Sequence, residues 1–241
     1  MNPLVLVHGF MGGSAQWELQ RKAFEQHSNV IAVDLPGFGR NNDAPALSSI
    51  PDMADWVIAH LDAQGVGQFD LIGHSMGGMI VQQMAHHVPD RIDRLILYST
   101  GAIGVLPGRF ETIEESKQRG LDDGIPKTAR RIAATWFLNG SAATEYEACA
   151  TIAQQTAPEA FTGGLDAMQS WSGADHLAAI QAQTLVLWGD GDRTYPWSQI
   201  ERLWASIPDA QLAVLPNCAH AVHLEKPFLF NQIVLDYLTR R

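Results

Sequence analysis

A chain of 241 residues, 46% apolar and 17% charged, suits one large globular domain or one domain carrying an insertion, and its net charge of −10 argues against nucleic acid as a partner. Its two cysteines, Cys149 and Cys218, provide neither a disulfide framework nor a zinc cluster, so no metal is expected. The opening "MNPLVLVHGF" lacks the basic segment of a signal peptide, and nowhere do about 18 apolar residues run together, so a cytoplasmic protein without a membrane span is expected.

Short apolar runs alternate with longer helical patterns. Strand candidates are "PLVLV" (3–7), "VIAV" (30–33), "FDLIG" (69–73), "RLILYS" (94–99), "TLVLWG" (184–189) and "QLAVL" (211–215). Their near-continuous hydrophobicity fits parallel strands covered on both faces. Helices are expected at about 15–27, 50–64, 76–87, 197–206 and 227–239, with Ser49 capping the second and Pro51 and Pro227 in first turns. This rhythm predicts an α/β fold with a doubly wound, mostly parallel sheet. It breaks between Thr100 and Gln183, where helical segments near 109–119, 126–138, 142–156 and 158–171 carry no convincing strand. The chain therefore divides into a core of residues 1–99 and 184–241 and a helical insertion of residues 100–183.

The stretch "DLIGHSMGGM" joins a predicted strand directly to a predicted helix. At the junction stands Gly73-His74-Ser75-Met76-Gly77, a G-x-S-x-G pattern. A turn that sharp strains the residue at its apex, and only small neighbours let the two backbones pass. Ser75 is thereby raised above the sheet as a candidate nucleophile.

Four places along the chain now make a resemblance plain: His8-Gly9-Phe10 after the first strand, "DLPGFG" (34–39) after the second, the G-H-S-M-G turn, and the segments around Asp192 and His220 after the last two strands. The chain resembles an α/β-hydrolase with a helical cap, and the match runs nearly end to end. The resemblance implies a triad in the order Ser, Asp, His. Of nine histidines, the base should follow the last strand, which leaves His220 and His223; His220 is favoured because His223 already leads into the final helix. His8 and His74 are read as loop braces. The acid falls on Asp192, three residues after the strand-ending Gly189, with Asp190 read as a turn residue bonding its own backbone. The backbone N–H groups of Phe10 and Met76 would form an oxyanion hole. No cofactor is required.

The family usually carries an antiparallel strand pair ahead of the first strand seen here. Its absence predicts a six-stranded sheet with "VIAV" near an edge, to be covered or used in a homodimer contact. Serine at position 75 demotes the dehalogenases and epoxide hydrolases of this fold, which use aspartate. Ala221, where carbon–carbon hydrolases usually carry tryptophan after the histidine, demotes that branch as well.

Within the insertion, Trp136, Phe137 and Trp171 are candidates for an acyl pocket, although apolar residues at helical spacing more often pack a core. Arg130 and Arg131 are candidates for a substrate carboxylate, against a solvated face as the plainer alternative. "STGAIG" and "ATWF" are similar to segments of β-ketoadipate enol-lactonases, and "VDLPGFGR" to the pimeloyl-ester carboxylesterases of biotin synthesis. Both resemblances imply hydrolysis of a small-molecule ester or lactone. The alternatives are carbon–carbon cleavage or cofactor-free perhydrolysis on the same triad, and a slow-turnover ligand receptor.

Overall fold

The computed structural model describes residues 1–106 and 111–240. Six strands form one sheet: β1 (Leu4–Val7), β2 (Val30–Ala32), β3 (Phe69–His74), β4 (Ile92–Tyr98), β5 (Gln183–Gly189) and β6 (Gln211–Leu215). Their spatial order is β2-β1-β3-β4-β5-β6, and every pairing is parallel. The segment "VIAV" is an edge strand, as its sequence position implied.

The sheet is buried because its strands are apolar on both faces. Val5 and Val7, Leu95 and Leu97, and Val186 and Trp188 pack into one core. Their alternate neighbours Leu4 and Leu6, Ile96 and Tyr98, and Leu185 and Leu187 pack into the other. The period of two along a strand divides the residues in this way. Helices α1 (Glu18–Phe24) and α10 (Pro227–Thr239) cover the second core. Helices α2 (Ile50–Ala63), α3 (Met76–His87) and α8 (Trp197–Ser206) cover the first. Ser49 Oγ accepts the Asp52 N–H at 3.1 Å and caps α2, with Pro51 in its first turn.

The expected helix 15–27 is shorter and split. Residues Ser14–Trp17 form a 3₁₀ turn ahead of α1. The Asp34 carboxylate holds the start of that turn, accepting both the N–H and the hydroxyl of Ser14 at 2.7 Å.

Between β4 and β5 lie α4 (Ile113–Asp123), α5 (Ile125–Thr135), α6 (Tyr146–Ala153) and α7 (Pro158–Ser170). The predicted start of the first, at 109–110, lies outside the described residues. Thr112 begins α4 with a reciprocal cap: its hydroxyl accepts the Glu115 N–H, and Glu115 Oε2 accepts the Thr112 N–H. The chain after β4 meets the chain ahead of β5 in an antiparallel bridge between Ile103 and Ser172. A short helix α9 (Val222–Glu225) precedes α10. Among the described residues no helix is long and apolar enough to cross a membrane.

Candidate active site

Ser75 stands between β3 and α3 with φ 56° and ψ −120°, a strained conformation for a residue with a side chain. The glycines around it are required by contact. A Cβ on Gly73 would lie 2.4 Å from the Gly77 carbonyl oxygen, and one on Gly77 would lie 2.3 Å from that of Val7. The elbow is also fixed by hydrogen bonds: the Ser75 N–H donates to Tyr98 O at 3.0 Å, and the Thr100 hydroxyl donates to Ser75 O at 2.7 Å.

His220 follows β6 and is buried, as is Asp192 after β5. His220 Nδ1 lies 2.9 Å from Asp192 Oδ2. A carboxylate only accepts, so Nδ1 carries a proton, and in the neutral ring Nε2 keeps its lone pair. Asp192 is oriented in turn by the N–H groups of Thr194 and Tyr195, which donate to Oδ1 at 2.7 and 3.2 Å. The other hydrogen bonds of His220 pass through its carbonyl, which accepts from His74 Nε2 at 3.1 Å and from the Tyr98 hydroxyl at 3.0 Å. Among the described residues none joins His220 to Ser75 Oγ, and such contacts commonly tighten only around substrate.

Ser75 and His220 line one cavity of about 600 Å³. Its floor includes Gly9 and Phe10, where a Cβ on Gly9 would meet Ser75 Cβ at 2.9 Å. Among the described residues, neither the Phe10 nor the Met76 N–H donates to a backbone acceptor. Met76 opens α3, so its N–H is one of the donors that a helix leaves unpaired at its N-terminus.

Three further histidines lie around His220 with different duties. His8 accepts the Leu35 N–H on Nε2 at 3.1 Å, so its Nδ1–H donates to Gly9 O at 2.8 Å and braces the loop after β1. Burial holds its pKa below the usual value. Burial lowers that of His74 further, helped by the nearby His220 and His223. His223 is pushed down to about 3, again chiefly by burial and then by His220. Its Nδ1 lies 2.9 Å from the Tyr98 oxygen, which also accepts the His223 N–H at 3.1 Å. With Tyr98 donating to His220 O, His223 must donate from Nδ1. Its unpartnered Nε2 is then a bare acceptor, which is less costly than a buried unpaired N–H.

Several expectations require correction. Asp190 does not bond its own turn; Oδ1 accepts the Asn217 N–H at 2.8 Å and so ties the β5 loop to the β6 loop. Of the three aromatic candidates, only Trp136 lines the cavity. Phe137 is fully buried in the core, because α5 ends at Thr135 and turns it inward. Trp171 lies against α3 instead, its Nε1 donating to Gln83 Oε1 at 3.0 Å. Arg130 does not line the cavity either: Glu147 takes both of its terminal nitrogens, at 3.0 and 2.7 Å, and its guanidinium stacks on Tyr146. Arg131 Nη2 lies 3.7 Å from Glu111 Oε2 and is likewise not part of the wall.

Tyr98, Glu111, Arg193 and Glu225 belong to the site or its support and were not singled out from the sequence. No local pattern marks them, since each gains its role from a partner distant in sequence.

The family model for the alpha/beta hydrolase fold matches residues 2–227, and the chain belongs to that family. It is 29% identical over 242 residues to a pimeloyl-[acyl-carrier protein] methyl ester esterase of Yersinia enterocolitica, covering 97% of this chain and 92% of that protein. It is 28% identical over 258 residues to a 2-hydroxy-6-oxononadienedioate/2-hydroxy-6-oxononatrienedioate hydrolase of Burkholderia vietnamiensis, covering 98% and 87%. Among solved structures, a thermophilic esterase from Thermogutta terrifontis superposes with a TM-score of 0.89 at 27% identity, covering 99% of this chain and 89% of that one.

Proposed function

We propose that the protein is a serine hydrolase of small to medium carboxylic esters or lactones, working through an acyl-enzyme. The observation that carries this reading is the His220–Asp192 hydrogen bond of 2.9 Å, which in the neutral ring makes His220 Nε2 the lone-pair nitrogen, beside the cavity that Ser75 shares. Residues 100–183 act as the cap, and Leu106, Ile132, Leu165 and Met168 from it give the cavity apolar walls suited to an acyl chain.

His220 Nε2 takes the proton as Ser75 Oγ attacks the carbonyl carbon. The tetrahedral oxyanion is held by the N–H groups of Phe10 and Met76, each worth about 10²–10³ in turnover. His220 then protonates the departing alkoxide, which in a lactone stays tethered as a hydroxyl. Water, deprotonated by His220, attacks the acyl carbon and releases the acid and Ser75. Asp192 holds the ring in the required tautomer and stabilises the imidazolium.

A second reading, carbon–carbon hydrolysis by the same residues, is favoured by the similarity to the Burkholderia vietnamiensis hydrolase. Hydrolysis of p-nitrophenyl butyrate by wild type and by Ser75→Ala tests the first reading. The expected result is a wild-type rate that falls by up to about 10⁶ in the variant. Equal inertness of the two proteins overturns it, and a vinylogous 1,5-diketone substrate then tests the second.

A further inference from the structure

Arg193 immediately follows the proposed triad acid, lines the cavity and remains exposed. Among the described residues its one hydrogen bond, from Nη2 to Leu138 O, is 3.5 Å long, at the limit of such a contact. Among the described residues no carboxylate lies within ion-pairing distance of it, whereas Arg130 is held by Glu147, and Arg119 and Arg131 share Glu111.

The charge around the cavity is unlike that of the whole chain. The chain has a net charge of −10. Among the described residues, Glu111 is the one carboxylate on the cavity wall, and it is flanked by two guanidinium groups, Arg119 and Arg131. Asp192 is turned away from solvent with both oxygens bonded. Arg119 and Arg131 stand outside the wall and offset Glu111 from behind, so among the described residues Arg193 is the guanidinium that faces the cavity itself. In a half-enclosed site such a charge acts more strongly than on an open surface.

We propose that the substrate is an ester or lactone bearing a carboxylate, and that Arg193 binds that carboxylate. The proposal rests on the hydrolase reading and names its substrate class. A guanidinium offers two parallel N–H donors whose spacing matches a carboxylate, and the weak bond to Leu138 O is readily exchanged for it. The apolar walls take the alkyl chain between the two polar ends. The carboxylate belongs to either the acyl part or the alcohol, and the two placements are separate arms of the test.

Binding of adipate and of hexanoate to the Ser75→Ala protein is measured by calorimetry. The ligands have equal chain lengths and differ by one carboxylate, and the measurement does not depend on turnover. The expected result is tighter binding of adipate by about five- to ten-fold, with the preference lost in Ser75→Ala/Arg193→Gln. Ser75→Ala/Arg130→Gln makes the same charge change outside the cavity and should retain the preference. Equal binding of the two ligands overturns the proposal, as does an equal loss in the Arg130 variant, which would indicate a long-range field. In parallel, kcat/KM is compared for p-nitrophenyl hexanoate and mono-p-nitrophenyl adipate, and for ethyl hexanoate and 2-carboxyethyl hexanoate. A carboxylate preference in one pair, lost with Arg193→Gln, assigns the acyl or the alcohol side. Wild-type turnover without preference in either pair, together with equal acid binding, rejects the substrate class while leaving the hydrolase reading intact. Adipate selectivity without any ester turnover rejects the hydrolase reading and leaves the anion site.

Discussion

Glu225 Oε2 accepts the backbone N–H of Ala219 at 2.6 Å, one residue ahead of His220. Its other oxygen accepts the Leu138 N–H at 2.8 Å, at the end of the turn that follows α5. On the far side of His220, the Ala221 N–H donates to Trp136 O at 2.9 Å. The histidine loop is thus clamped on both flanks to the segment that carries Trp136 into the cavity. Glu225→Ala leaves two N–H groups without acceptors, at a cost of about 1–3 kcal/mol each where they are buried. We expect kcat to fall by about ten-fold with a smaller change in KM, and Glu225→Gln, which keeps one acceptor oxygen, to recover part of the loss. Steady-state kinetics of the two variants on one ester checks this; an unaltered kcat in Glu225→Ala rejects the positioning role.

Asp192→Asn should keep the fold and lose the chemistry. An amide at this position can present its NH₂ to His220 Nδ1, which reverses the tautomer and places the proton on Nε2. By analogy with serine proteases, kcat should drop by about 10⁴. Rates on p-nitrophenyl butyrate provide the measurement, with circular dichroism as the check on folding. A variant within ten-fold of wild type would remove Asp192 from the triad.

The buried histidines predict an acid-sensitive fold. His223 is neutral in the folded chain until about pH 3, whereas in the unfolded chain it protonates near the ordinary value of 6.5. Below 6.5 the unfolded state therefore binds more protons, and stability is lost as pH falls from about 6.5 toward 3. The slope is about 1.4 kcal/mol per pH unit for this one group. His74 and His8 act in the same direction. Asp70, raised to about 6 chiefly by burial, opposes them, because the folded state takes up its proton first as pH falls. Urea unfolding at pH 7.5 and 5.5 should give a lower free energy at 5.5, and His223→Gln should reduce the difference. A difference unchanged by the substitution would mean that His223 does not carry it.

Gly77→Ala should prevent normal folding. Its Cβ would sit 2.3 Å from Val7 O and 2.5 Å from His8 O, both backbone atoms of β1 and its exit. A cost of about 3 kcal/mol or more is expected. Gly67→Ala serves as the control, since nothing lies within 4 Å of the added carbon. Thermal unfolding of both separates the cases: similar melting temperatures would show that the elbow tolerates a side chain.

The sequence by itself determined the parallel sheet, the helical run between β4 and β5 and the strand-to-helix turn at Ser75, because all three are local. Strand hydrophobicity follows from burial on both faces, and the G-x-S-x-G turn from the space that its backbone must leave. Through the family resemblance it also limited the candidate acid and the candidate base to two residues each. The tertiary structure decided what depends on partners distant in sequence. It paired His220 with Asp192 across 28 positions and placed Tyr98 beneath the His220 carbonyl from 122 positions away. It also turned Arg130 toward Glu147 and left Arg193 beside the cavity. Helical periodicity marks which face of a segment is apolar, but it does not state what that face meets. For that reason Trp136, Phe137 and Trp171, alike in sequence, lie respectively in the cavity wall, in the core and against α3.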